Sequence, residues 1–231
     1  MKKNKKYQLV NSYFKVAERS GLPVNILDIA KWNSASNDLP FAYKGNNWVY
    51  DAFCEKQKRS GVTNSQFLTP DATVDRMLHF AGMYFNDNHV LEPGCGTGQI
   101  TKELLNDKYN VTAFDNDPEM VELCKLLYPE LNVFQSDFKE VSFAANQIIA
   151  NPPYEMPELI DFLEWVYDIQ NFSGISILLL PKGFIDKDKP KRLFHLLRKF
   201  AVLEKEDMKE RFERTGTMAE IVVLNPTCQP R

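Results

Sequence analysis

Five short apolar runs, HVLE (89–92), NVTAFD (110–115), LNVFQSD (131–137), NQIIA (146–150) and GISILLL (174–180), alternate with longer stretches of helical period. Runs of this length suit buried strands, and the stretches between them are long enough for helices. Strand–helix alternation admits few topologies. Right-handed crossovers place helices on both faces of a mainly parallel sheet. Helices are predicted at TGQITKELLN (97–106), PEMVELCKLL (118–127) and PELIDFLEWVYDI (157–169). Upstream, TPDATVDRMLHFAGMYF (69–85) reads as a helix with Thr69 as its cap, Pro70 at its start, and Val74, Met77, Leu78 and Ala81 on one face. Downstream, KPKRLFHLLRKF (189–200) reads as a helix, with further strands at AVLEKE (201–206) and MAEIVVLNP (218–226). The expectation is an α/β fold with a mostly parallel, seven-stranded sheet.

Residues 1–60 have a different texture. YFKVAERSG and NNWVYDAFCEKQKRSG each close on a glycine suited to a helix C-terminus, which predicts a small helical N-terminal appendage ahead of a main domain at 61–231. The start, MKKNKKYQLVNSYF, lacks the apolar stretch of a secretion signal, and no run approaches the roughly 18 apolar residues of a membrane span. The expected location is the cytoplasm, with no membrane partner. Cys54, Cys95, Cys124 and Cys228 form no C-x-x-C pair and the histidines are scattered, so neither a disulfide framework nor a metal site is expected.

Charge is uneven although the net value is only −3. Residues 92–170 hold 4 Lys/Arg against 15 Asp/Glu, whereas 171–231 hold 12 against 8. Within the latter, KDKPKRLFHLLRK (187–199) carries six basic residues and one acidic, a local charge of +5. Such a segment suits either phosphates or a solvated helix face.

VLEPGCGTGQIT places Gly94, Gly96 and Gly98 between a strand and the mouth of a helix, where backbone amides and the helix terminus meet a ligand. Asp115 ends the next strand, in position to accept hydrogen bonds from ribose hydroxyls at the crevice of a doubly wound sheet. A dinucleotide pyrophosphate is the rival ligand. The spacing is G-x-G-x-G rather than G-x-G-x-x-G, and the carboxylate of Glu92 beside the loop would repel phosphates. It suits an amino group and a cationic sulfur instead.

The loop resembles motif I of the class I S-adenosylmethionine-dependent methyltransferases, and AFDNDPEM and QSDF resemble the next two cofactor motifs of that family. The resemblance implies a Rossmann-like class I methyltransferase fold with S-adenosylmethionine as cofactor. It places Glu92, Gly94, Cys95, Gly96 and Gly98 around the methionine moiety, Asp115 and Asn116 at the ribose, and Asp137 and Phe138 at the adenine.

Asn151-Pro152-Pro153-Tyr154 follows the fourth strand. Prolines lack a backbone donor, so carbonyl oxygens here face outward without competing amides. Asn151 adds an amide oxygen and Tyr154 a flat ring. Together they can accept the two hydrogens of a planar amine and stack on the ring that carries it. NPPY resembles the signature of amino-methyltransferases that act on adenine N6 or cytosine N4, and in one branch on a release-factor glutamine. SQFLTP (65–70) resembles the Thr-Pro motif that gamma-class DNA adenine-N6 methyltransferases close over the cofactor, implying cofactor roles for Thr69, Pro70 and Asn151. In that class a phenylalanine stacks on the flipped base opposite the tyrosine, and Phe212 holds the matching place; Lys182, after the fifth strand, joins the substrate side. The leading expectation is therefore an adenine-N6 methyltransferase acting on nucleic acid, DNA in preference to RNA, with a specificity partner an open option. Alternatives are adenine-N6 methylation of RNA, a protein glutamine methyltransferase, and a cofactor-binding subunit of a heteromeric enzyme.

Overall fold

The computed structural model describes residues 68–170, 173–186, 191–212 and 217–227. The helical appendage expected at 1–60 lies outside these residues. Helix α1 (Asp71–Tyr84) leads into β1 (His89–Pro93), α2 (Gln99–Asn106), β2 (Asn110–Asp115), α3 (Pro118–Leu127) and β3 (Asn132–Gln135). A short 3-10 turn (Phe138–Glu140) precedes β4 (Gln147–Ala150), followed by α4 (Met156–Ile169), β5 (Ile175–Pro181), α5 (Lys191–Leu197), β6 (Phe200–Arg211) and β7 (Met218–Pro226). The seven strands form one sheet in the order β3-β2-β1-β4-β5-β7-β6. β1 to β5 pair in parallel, while β7 is antiparallel to both of its neighbours.

Local chemistry explains the helix starts. Asp117 accepts the Glu119 amide at 2.9 Å and Pro118 occupies the first turn of α3, a combination that satisfies an orphan donor and presets the backbone. At α1 the expectation fails. Pro70 is the N-cap residue and no side chain caps the helix, so Thr69 is released for another use.

Strand alternation divides the core into two layers. Val90, Val111, Ile149, Ile177 and Val223 face α1, α2 and α3 through residues such as Met77, Leu104 and Val121. Leu91, Phe114, Ile148, Leu178 and Val222 face α4 and α5 through Phe162, Trp165 and Leu193. Trp165 donates its indole N–H to the Val141 carbonyl at 2.8 Å, the partner a buried indole requires. Gln147, buried at the start of β4, accepts the amides of Asn86 and Asp87 at 2.7 and 3.0 Å and donates to the carbonyls of Asp87 and His89 at 2.8 and 2.7 Å. That one amide fixes the entry of β1 against β4.

β1 and β4 are adjacent, with Leu91 opposite Ile148, yet their connections leave toward opposite faces: α2 packs on one layer and α4 on the other. Reversal of this kind opens a crevice at the carboxyl ends of the two strands, where open α/β sheets take their ligands.

Candidate functional site

A solvent-open cleft lies at this reversal. It gathers ten of the residues picked out in the sequence: Thr69, Glu92, Gly94, Cys95, Gly96, Asp115, Asn116, Phe138, Asn151 and Pro153. Pro70, Gly98, Asp137, Pro152, Tyr154, Lys182 and Phe212 are outside its lining.

Gly94 and Gly96 have φ of +67° and +53°, and a Cβ built on either meets nothing within 4 Å. Side chains there would project into open cleft, so the bare backbone forms a cradle for a ligand to approach closely. Gly98 does something else. Its added Cβ would come 2.6 Å from Cε2 of Tyr128, whose hydroxyl donates to the Gly98 carbonyl at 3.2 Å. It is a packing glycine that lets α2 begin against Tyr128, not a ligand contact.

Asp115 is buried at the tip of β2, where its Oδ2 accepts the Gly96 amide at 2.8 Å and its Oδ1 the Asp117 amide at 2.9 Å. Burial raises its pKa and these amides oppose the rise. The carboxylate ties the glycine loop to β2 while lining the cleft. Asp137 instead accepts the Lys139 amide at 2.9 Å and caps the 3-10 turn, which sets the orientation of Phe138 in the cleft. Cys95 and Cys124 are free thiols with their sulfurs 3.9 Å apart; the hydrogen bond to Cys124, and then burial, holds the Cys95 thiol well above its usual pKa.

Glu92 is 2% exposed and receives the Thr101 hydroxyl at 2.5 Å. Burial pushes its pKa up to about 8, with Thr101 pulling the other way. Unfolded, the same carboxyl titrates near 4.5. Between those values the folded chain retains a proton that the unfolded chain has released, so stability falls as pH rises through the window and levels off above about 8. Glu92→Gln keeps an acceptor for Thr101 and removes the titration. Its melting temperature should approach the wild-type value near pH 5 and exceed it progressively toward pH 8.5. A difference independent of pH, measured by thermal denaturation, would contradict this assignment.

Asn151 follows β4 directly. Its Nδ2 donates to Thr69 Oγ1 at 3.1 Å across a sequence separation of 82 residues. Tyr154 sits beyond Pro152 and Pro153 with its hydroxyl buried, and burial raises its pKa. Its ring meets Phe212 edge to face, with centroids 5.8 Å apart and planes at 80°. Phe212 is only 6% exposed and belongs to the core layer beside Ile221. The facing-ring slot expected for a base between Tyr154 and Phe212 is therefore not formed: the two rings touch each other, and a base between them requires Phe212 to leave the core. Lys182 is exposed and ion-paired with Asp207 at 2.6 Å.

Besides Leu68 and Thr97, which adjoin the picked Thr69 and Gly96, four further lining residues escaped the sequence reading: Gln99 and Ile100 from the first turn of α2, Met120 from α3 and Glu158 from α4. Their only signal was position in the first turn of a helix that follows a cleft-forming strand. Among the described residues no group of His, Cys, Asp and Glu could hold a metal ion, and no helix is long and apolar enough to cross a membrane.

S-adenosylmethionine fits this donor set. A diol suits Asp115, a flat ring suits Phe138 with Met120 and Ile100, and a zwitterionic end suits the glycine cradle beside Glu92.

Residues 90–150 match the family described as a methyltransferase domain. Over 107 residues the chain is 37% identical to ribosomal RNA small subunit methyltransferase A of Malacoplasma penetrans, covering 44% of this chain and 38% of that protein. It is 32% identical over 101 residues to an rRNA adenine N-6-methyltransferase of Bacteroides fragilis, covering 41% and 37%. The chain thus spans about 40% of the length of the curated relatives it first matches. Among solved structures it superposes on a Listeria monocytogenes protein provisionally assigned as a class I S-adenosylmethionine-dependent methyltransferase (TM-score 0.67, 11% identity, 98% of this chain and 88% of that one). It also superposes on an S-adenosylmethionine-dependent methyltransferase of Clostridium acetobutylicum (TM-score 0.54, 13% identity, 78% and 99%). The fold is the Rossmann-like methyltransferase fold. Residues 90–150 carry the methyltransferase-domain match, and S-adenosylmethionine is its cofactor.

Proposed function

We propose that this methyltransferase domain methylates N6 of an adenine in RNA in the cytoplasm. The observation that carries the amine acceptor is Asn151, placed at the tip of β4 in the cleft wall with its amide held by Thr69. RNA is favoured over DNA by the rRNA methyltransferases that the chain resembles. This replaces the DNA preference formed from the sequence alone.

An exocyclic amine on an aromatic ring is a weak nucleophile because its lone pair is delocalised into the ring. In this reading the Asn151 amide oxygen and the Pro152 carbonyl accept its two hydrogens. A more tetrahedral nitrogen results, with its lone pair directed into the cleft. Pro152 and Pro153 contribute no amides that would compete. Tyr154 offers its face at the rim, and removing the base from its stack is a prerequisite for reaching N6. S-adenosylmethionine bound in the cleft supplies an electrophilic methyl group on a cationic sulfur. Gly94, Gly96 and Asp115 hold it, Phe138 flanks its ring, and Glu92 offers a carboxyl oxygen to accept a hydrogen bond from its amino end. The catalytic contribution of Asn151, Pro152, Pro153 and Tyr154 is position and electrostatics, with no covalent intermediate on the protein.

One observation favours the second reading, DNA adenine. The Thr69–Asn151 hydrogen bond joins the Thr-Pro element to NPPY, the two features on which the gamma-class resemblance rests. Incubation with methyl-labelled cofactor and separate pools of RNA and DNA, followed by digestion to nucleosides, tests both. N6-methyladenosine from RNA is the expected product. Label in deoxyadenosine alone would move the assignment to DNA, label in protein would favour the glutamine alternative, and no label in any pool would favour a cofactor-binding subunit.

A further inference from the structure

Helix α5 presents a stripe that the transfer site does not use. Leu193 and Leu196 face the core, while Lys191, Phe194 and His195 on the helix, and Arg198 in the turn directly after it, are exposed at spacings of three, four and seven residues. Phe194 is 51% exposed, and the Arg198 guanidinium stands 5.7 Å from its ring centroid. His195 meets the same ring edge to face at 5.8 Å.

Among the described residues, the other two basic residues of the segment are committed elsewhere. Arg192 pairs with Asp161 at 3.0 Å and Glu164 at 2.5 Å on α4, and Lys199 lies over the Tyr167 ring at 4.5 Å. Asp161 is further neutralised by Lys139 at 2.8 Å. Lys191 and Arg198 make no ion pair with any described residue. Asp161 and Glu164 on α4 are thus already balanced, and the half-exposed Phe194 ring has Arg198 beside it.

We propose that this stripe binds single-stranded RNA adjoining the target nucleotide. Phe194 stacks on an unpaired base, Arg198 adds a cation–π contact on the same ring, and Lys191 and Arg198 each meet a phosphate. Position supports this partner. β5 ends at Pro181 beside β4, which carries NPPY, and the chain passes through the turn at 182–186 before α5 begins at Lys191, so the amino end of the helix stands on the side of the sheet that holds the cleft. The proposal rests on the RNA reading above and supplies it with a second contact outside the transfer site.

The test measures binding of a fluorescent, adenine-containing single-stranded RNA of about 20 nucleotides to the full chain as a function of salt. Base–aromatic stacking worth about 1–3 kcal/mol corresponds to a loss of about fivefold to 150-fold in Phe194→Ala. Lys191→Ala combined with Arg198→Ala should flatten the slope of log affinity against log salt by about 1.4, two phosphates at roughly 0.7 each. Binding of S-adenosylhomocysteine and the melting temperature should stay unchanged, because none of these side chains enters the core or the cleft. Unaltered RNA affinity and salt slope in both variants would overturn the proposal, as would loss of the same discrimination only with single-stranded DNA. The two readings fail separately. RNA binding through α5 without N6-methyladenosine formation would sink the reaction and leave the surface standing, whereas methylation indifferent to the α5 variants would do the reverse.

Discussion

Asn151→Ala lowers methyl transfer by about 100-fold to 1,000-fold, the cost of removing one preorganised polar contact to a developing charge, while S-adenosylhomocysteine still binds. The expectation follows from a division of labour in the cleft. Asp115, the glycine cradle and Phe138 belong to strands and loops that do not depend on the Asn151 side chain, so the cofactor side survives its loss. Asn151 is held by Thr69 through its amino end, and its carbonyl end is its contribution to an acceptor amine. Thr69→Ala then gives a graded version of the same defect: the amide can rotate, and transfer falls less than in Asn151→Ala. Single-turnover rates with saturating cofactor separate the two effects. Equal rates in Asn151→Ala and wild type would remove Asn151 from the reaction and return the chain to the cofactor-binding subunit alternative.

Gly98→Ala destabilises the fold by roughly 2–5 kcal/mol, combining about 1–2 for a left-handed residue that gains a Cβ with about 1–3 for overpacking. The left-handed φ of +79° supplies the first part and the 2.6 Å approach to Tyr128 the second. The Tyr128 ring cannot swing aside without giving up its bond to the Gly98 carbonyl. Tyr128→Ala removes the obstruction, so Gly98→Ala made in that background costs only the backbone share. Chemical denaturation of the four proteins of this cycle yields the coupling directly. Additive effects would show that the ring yields and that the strain is all in the backbone.

The two glycine behaviours mark what a linear sequence can and cannot disclose. The strands NVTAFD and MAEIVVLNP and the helix PEMVELCKLL begin and end where periodicity and turn residues put them, because local rules govern those boundaries. The strand expected at 201–206 runs instead from Phe200 to Arg211. Its charged pattern hid it, since β6 is an edge strand whose outer residues pair with other elements, as Glu206 does with Arg76 on α1 and Asp207 with Lys182. Cleft residues from the glycine loop, β2 and β4 were legible because strand order alone brings strand tips together. Tertiary roles were not. Thr69 reads as a helix cap until Asn151 is seen beside it, and Gly98 reads as a ligand glycine until Tyr128 fills the space a Cβ would take. Asp137 offers a carboxylate at the expected strand end but spends an oxygen on its own turn. Phe212 matches its place in the sequence and differs in geometry, because hydrophobic packing with Tyr154 closes the gap that stacking needs.

The position of β7 carries a consequence for how the chain is made. β5 is a run of fully buried residues, Ser176 to Leu180, and one of its two edges is paired by β7, the last strand. During synthesis that edge has no partner until roughly 40 further residues have been added, about 2–8 s at ordinary translation rates. A nascent chain therefore displays an apolar strand with one unpaired, hydrogen-bond-hungry edge for seconds. Truncation before Met218 should turn that transient into a permanent state, and such a product should aggregate or be held by chaperones rather than accumulate as a soluble fragment.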